Sequence, residues 1–591
     1  MPLNEKLILY QVFPRILTNN NQNCRRFGTL AQNGSGKLEE ITDTVLKSIK
    51  ELGVNAVWYT GVLEMATKTD FTKYGIAKDN DHIVKGEAGS PYAIKDYYDV
   101  DPSLAVDVDR RVEEFEALIQ RTHDNSMKVI LDFVPNHTAR CYVSDKSPKG
   151  VEPFGASDDT TMSFKPGNDY YYITNQQFQP SIDITSGADP YWEFPAKVTG
   201  NDCFTAFPTA NDWYETVKLN YGRDYANWSN HFSPMPPLWN KMLSILRYWC
   251  AKGVDGFRCD MVFMVPVEFW NWVIPMVKKD YPEVIFIGEI YDVGQYRTFL
   301  SYGHFDYLYD KVNLYDTIVG IERYNYSAAR LTECWQAVDG IGDSMLNFLE
   351  NHDEVRYGSK SFAGNPALVE SSLVVSSMMS KGPFLIYYGQ EIGESARDNE
   401  GFAGDNDRTT IFDYWSYASL RRWYADGKCD GSLLKPQEKW LRSLYSTVLK
   451  LCNSEKAISQ GSFFDLMYVN LHNPNFNPHR VFAFLRNFED ETLLIVANFN
   501  GSDLKLGINV PDAAFEMLRL PWLENARFKD LMTGEVFETP LLPDRQVAVT
   551  VRGRRALVLK LQLERNKPSC ETISKKVSCD GKTDNTSEKD Q

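Results

Sequence analysis

Three carboxylates in this 591-residue chain each follow an apolar run: Asp260 closes GVDGFRCD (253–260), Glu289 closes VIFIGE (284–289), and Asp353 follows SMLNFLENH (344–352). Charged groups are costly at the end of a buried strand unless something uses them. Arg258 and His352 stand two residues and one residue before an acid, and KVILDFVPNH (128–137) ends in Asn136 and His137. The chemistry that needs such a set is glycoside hydrolysis, in which one carboxylate attacks the sugar carbon while another donates a proton and then recovers it. Side chains in a strand alternate with period two, so Arg258 points the same way as Asp260, keeping it ionised and aimed, while Cys259 points into the packing. Each residue alone has a plainer reading, as an N-cap aspartate or a histidine satisfied by backbone groups. The three acids together, in chain order at inferred strand ends, carry the catalytic reading.

What positions them is an alternation of short apolar runs with longer amphipathic ones. Strands are predicted over 7–13, 54–60, 128–134, 254–260, 284–289, 304–309, 345–349 and 383–388, with helices over 41–52, 110–123, 239–252, 266–279 and 368–380 between them. Eight strands separated by helices predict an α/β fold, a (β/α)8 TIM barrel, because parallel strands need crossover helices. An open doubly wound sheet would give the same alternation. The third connection is too long for a simple loop and is rich in Asp, Asn, Pro, Gly and aromatics, so residues 137–226 read as an inserted loop-rich subdomain, with the barrel over 1–136 and 227–459. From 460 to 563, strand-like segments such as RVFAFLRNF and TLLIVANFN predict a C-terminal antiparallel β-sandwich domain, and 564–591 has too little to bury and is expected to be disordered.

The formal charge of −16, with no dense Lys/Arg run, excludes nucleic acid and anionic lipid as expected partners. No run approaches the roughly 18 apolar residues of a membrane span, and residues 1–6 lead straight into a strand rather than a signal peptide, so a cytoplasmic location is expected. The ten cysteines are scattered without zinc spacing and read as free thiols. Aromatics, 13% of the chain, suit clefts that stack flat ligand faces, or simply a large core.

The stretches LYQVFPR, YAIKDYYDVDP, VILDFVPNH, GVDGFRCD, FIGEI, FLENHDEVR and PFLIYYGQEIG run in order from Tyr10 to Gly393. In that order the chain resembles the α-amylase family of glycoside hydrolases, family 13, and the C-terminal β domain fits it too. The resemblance implies Asp260 as nucleophile, Glu289 as general acid/base and Asp353 as the acid supporting a distorted sugar. It further implies Arg258, His137 and His352 around the reacting glucose, Tyr92 stacked beneath it, Asp132 and Asn136 as braces, and Arg356 in the substrate-binding set. A retaining α-glucan hydrolase acting on maltooligosaccharides or starch-like polymers is expected. The alternatives are a transglycosylase of the same family and a non-catalytic relative, the latter at odds with three acids in place.

Two departures from the family pattern bear on specificity and metal. The Lys-His often found three and four residues after the nucleophile is Phe263 and Met264 here, and TVKLN (216–220) resembles the neopullulanase- and cyclomaltodextrinase-like variant. Where the family pattern puts a calcium-binding aspartate before Leu-Asn, this chain has Lys218. An ammonium removes one ligand and adds a repelling charge, so no calcium is expected at that site. The loop at 19–23 offers only neutral asparagine and glutamine oxygens.

Overall fold

A computed structural model describes residues 5–402 and 404–563. Eight strands, β1 (Ile8–Val12), β2 (Ala56–Tyr59), β3 (Lys128–Phe133), β4 (Gly256–Cys259), β5 (Ile285–Gly288), β6 (Tyr307–Tyr309), β7 (Met345–Phe348) and β8 (Phe384–Tyr387), close into a barrel in chain order. All eight pairings are parallel. Helices cover the outside, so both faces of each strand are buried and the strands read as near-continuous apolar runs. Outward rings join the layers, as where Phe133 on β3 meets Phe257 on β4 and Trp270 on the helix Val267–Asp280 edge-on. The register sets Arg258 level with Asp132, both facing inward, while Cys259 is fully buried opposite Gly288.

The five predicted helices occur as Asp43–Lys50, Arg111–Asp124, Pro237–Ala251, Val267–Asp280 and Glu370–Met378. The longest one, Pro436–Ser454, was not read from the sequence; its Tyr445 hydroxyl accepts from Gln390 Nε2 (3.0 Å) in the turn after β8. YAIKDYYDV is itself a strand, Ile94–Val100, paired antiparallel with Leu63–Met65 beyond the barrel rim. Asp260 and Glu289 each fall one residue past their strand ends, as loop positions at the barrel mouth.

The insertion after β3 has only two- and three-residue strands, His137–Ala139 with Thr216–Lys218, Tyr172–Ile173 with Ala196–Lys197, and Arg223–Asp224 with Ser229–Asn230. Its irregular backbone continues to Pro236, ten residues past the expected boundary. Buried polar groups hold it: Arg140 donates to Glu193 (2.7 Å) and to the carbonyls of Tyr214 and Thr216, under the ring of Phe178.

The C-terminal domain is a six-stranded antiparallel sheet in the order Ser462–Asp465, Val481–Phe488, Glu491–Asn498, Ala556–Gln562, Leu523–Asp530, Val536–Leu541, faced by the pair Leu504–Ile508 and Val547–Val551. The expected disordered tail lies outside the described residues. Among the described residues eight cysteines are free, and no helix is long and apolar enough to cross a membrane.

One buried arginine joins the two domains. Arg486 donates to the carbonyls of Met379, Ala457, Ile458 and Gly461, and burial pulls its guanidinium down to about 10. Arg486→Met orphans those four carbonyls, so it should cost about 2–4 kcal/mol and lower the melting temperature by several degrees without altering KM. Unchanged melting by calorimetry would show that the joint holds without it.

Candidate active site

The site is organised around a fully buried guanidinium. Arg258 Nη1 donates to Asp260 Oδ1 (2.8 Å) and lies 3.6 Å from Asp132 Oδ1, and Nε donates to the Tyr309 hydroxyl (3.0 Å). Nη2 faces Glu289 Oε2 at 2.7 Å, a charge contact rather than an aligned hydrogen bond. Rings of Trp58, Tyr92 and Tyr309 surround it with centroids 5.3–5.4 Å away. The strand ends of β3, β4 and β5 thus bring three carboxylates onto one cation.

Glu289 Oε2 also accepts from the Met261 amide (2.9 Å), and its Oε1 accepts from the Tyr291 hydroxyl (2.5 Å). To present that amide, Met261 takes a left-handed backbone (φ 43°), which an unbranched non-glycine residue seldom adopts and which recurs at functional sites. His352 Nε2 lies 2.7 Å from the Tyr92 hydroxyl and 2.9 Å from Asp353 Oδ2, and Gln11 Nε2 meets its Nδ1 at 2.8 Å. The Tyr92 and His352 rings stack at 5.1 Å. Tyr92, Asp260, Glu289, Tyr291 and Asp353 line a cavity of about 290 Å³ shared with His137, Trp213, Lys85 and Phe412.

Burial, and next the charge of Glu289, push the Asp260 carboxyl well above the usual carboxylate range, against the pull of Arg258. Burial also pushes Asp353 up, but the charge and hydrogen bond of His352 outweigh it and bring that carboxyl to about 2. Burial raises Asp132 to about 6, with Arg258 opposing. Asp353 is thus held as an anion beside two carboxyls that share one guanidinium.

Comparison with known proteins decides the lineage. The family description "Alpha amylase, catalytic domain" matches residues 11–419. The chain belongs to the α-amylase family. Alpha-amylase 3 of Dictyoglomus thermophilum is 25% identical over 435 residues, 69% of this chain and 74% of that protein. A cyclomaltodextrinase of Thermoanaerobacter pseudethanolicus is 22% identical over 540 residues, 88% and 74%. The crystal structure of the maltogenic α-amylase AmyB from Thermotoga neapolitana superposes with a TM-score of 0.61 at 20% identity, covering 95% of this chain and all of that one.

In this α-amylase-type glycoside hydrolase, the structure gathers Asp260, Glu289, Asp353, Arg258, His352, Tyr92 and Asp132, and sets His137 in the cavity wall. Asn136 turns away from the cavity, its Oδ1 accepting from Lys218 Nζ (2.7 Å) and its Nδ2 donating to the Gly200 carbonyl. Arg356 is fully buried behind the Asp353 loop, held by Glu350 and the Tyr388 carbonyl, so it braces that loop and does not line the cavity. Sequence reading passed over Tyr309, Tyr291, Gln11 and Trp213. Tyr291 sits two residues past Glu289, and Gln11 and Tyr309 lie near the ends of barrel strands, a positional signal that pointed to them.

Burial, helped by the charge of Lys218, lowers the His137 imidazole to about 3. Between about pH 6.5 and 3 the unfolded chain therefore binds a proton that the folded chain refuses, and stability must fall as pH falls through that window. His137→Asn should flatten the dependence of urea-unfolding free energy on pH there by up to about 1.4 kcal/mol per pH unit. An equally steep dependence in the variant would mean that this imidazole is not held neutral.

Proposed function

We propose that the protein hydrolyses α-1,4-glucosidic bonds in maltooligosaccharides or starch-like α-glucans with retention, through a covalent glycosyl–Asp260 intermediate. The observation that carries this reading is the single Arg258 guanidinium shared by Asp260 and Glu289. Carboxyls held on one fork match the short separation of retaining enzymes, about 5–5.5 Å, rather than the about 6.5–9.5 Å that an inverting enzyme needs for its water. The relatives named as α-amylases and a cyclomaltodextrinase support the substrate class.

In this mechanism a glucosyl unit enters the cavity with Tyr92 against its face, and Asp353 and His352 hold its hydroxyls. Asp260 Oδ attacks the anomeric carbon as Glu289 gives its proton to the departing oxygen. Arg258 keeps its charge throughout, stabilising the carboxylate that forms on Glu289. Glu289 then takes a proton from water, which attacks the same carbon and releases Asp260. Met261 and Tyr291 hold Glu289 in one position for both steps.

Asp260→Asn and Glu289→Gln should each lower kcat on maltoheptaose by about four orders of magnitude or more, since neither amide can perform the missing step. A 2-fluoro maltosyl fluoride should label the peptide bearing Asp260, seen by mass spectrometry after digestion. Labelling of a peptide that lacks Asp260 would reassign the nucleophile.

The reading includes no structural calcium between barrel and insertion. Lys218 Nζ stands among Asn136 Oδ1 (2.7 Å), Asp202 Oδ1 (2.5 Å) and the Met264 carbonyl (3.4 Å), an ammonium in a cage of oxygens that would otherwise suit a hard cation. Activity and melting temperature should survive prolonged EDTA treatment. A loss of many degrees, restored by calcium, would contradict this.

A further inference from the structure

The catalytic cavity, about 290 Å³, is at the lower end of the roughly 300–1,000 Å³ of small-molecule sites, so most of an oligosaccharide must rest on the surface beyond it. On one side that surface is aromatic. Lys218 pairs with His137 of the cavity wall and sets its Nζ 5.3 Å from the centre of the Tyr225 ring. From Tyr225 the rings continue to Phe204 (5.0 Å) and Trp228 (5.4 Å). Phe204 is 43% exposed and Trp228 69%.

These rings are held out by construction. Trp228 sits in the hairpin of Arg223–Asp224 with Ser229–Asn230, whose turn is fixed by Asp224 accepting from the Ala226 amide and Asn227 accepting from the Ser229 amide. Tyr171 clasps its base by donating to the Arg223 carbonyl (2.7 Å). Trp228 itself is in the left-handed region (φ 59°), a conformation a bulky residue adopts only where the surroundings impose it. The residue gains no burial for that strain.

The ladder lies on the Glu289 side of the cavity. Lys218 reaches the Met264 carbonyl (3.4 Å), and the same turn supplies the Met261 amide to Glu289 Oε2 and the Val262 amide to the Glu289 carbonyl (3.0 Å). Glu289 protonates the departing sugar, so this is the leaving-group side. There Phe263 and Met264 offer no polar side chain to a sugar hydroxyl, whereas a pyranose ring has an apolar C–H face that stacks on aromatic rings.

We propose that Phe204, Tyr225 and Trp228 form a stacking platform for the glucosyl units on the leaving-group side of the scissile bond, making the enzyme select chain length by aromatic contact. This rests on the α-glucan reading above. In the parent, kcat/KM for maltoheptaose should exceed that for maltotriose. Trp228→Ala and Phe204→Ala should each lower that ratio by about tenfold, the scale of removing a ring at a binding centre. Trp192→Ala, which removes an equally exposed indole (69%) outside the ladder, should keep the parent ratio. By calorimetry on Asp260→Asn, adding Trp228→Ala should weaken maltoheptaose binding by a similar factor.

An unchanged ratio in an active enzyme overturns the platform. So does a Trp228→Ala variant whose sedimenting mass alone changes, which would mark the face as a contact between copies of this chain. If the parent cleaves no α-glucan, the functional reading fails, and the calorimetric arm alone judges the platform: loss of maltoheptaose affinity supports it and unchanged affinity refutes it.

Discussion

A buried arginine must be neutralised where it lies, and Arg258 lies inside the barrel with no solvent to screen it. The rest of the site follows from that constraint. Its guanidinium demands carboxylates within reach, and the ends of β3, β4 and β5 supply Asp132, Asp260 and Glu289. Three acids on one cation leave excess negative charge, which burial makes expensive, and Asp132 and Asp260 are pushed up accordingly. Removing Arg258 would leave several carboxylates buried without a counter-charge.

The inserted subdomain repeats the device at its root. Lys218, almost fully buried, faces Asn136 from the barrel, Asp202 from the insertion and a carbonyl of the turn after β4. One ammonium thus ties three chain segments around the cavity, and it adds to the burial that depresses the neighbouring His137. Its neutral imidazole can then face a sugar beside Trp213 without adding positive charge to the pocket.

Much of this was legible in the sequence for a physical reason. Period-two alternation put Arg258 and Asp260 on one face, and apolar runs bounded by acids marked where strands reach the barrel mouth. At the barrel mouth the predicted strands overrun by at most one residue, because the Asp260 and Glu289 amides still donate to the Phe133 and Cys259 carbonyls of the neighbouring strands. The helix Pro436–Ser454 was missed although amphipathic, since it follows the long irregular stretch after β8 and precedes no strand of the barrel. Arg356 carries the local pattern of a binding residue, but Glu350, six residues earlier, captures it, a contact that depends on loop geometry and leaves no trace in composition. Tyr291 and Tyr309 carry only a positional signal, and the role of Tyr309 appears once β4 brings Arg258 to its hydroxyl.

The central claim is that one guanidinium holds two carboxylates close enough for attack and protonation on opposite sides of the same bond, with a covalent step between. The most direct test is the stereochemistry of a single turnover. Proton NMR recorded within the first minutes of maltoheptaose hydrolysis should show the new reducing end as the α-anomer, with the β-anomer growing in only by mutarotation. A product released as the β-anomer would mean that water attacks directly, which the shared arginine does not allow for, and would contradict the account.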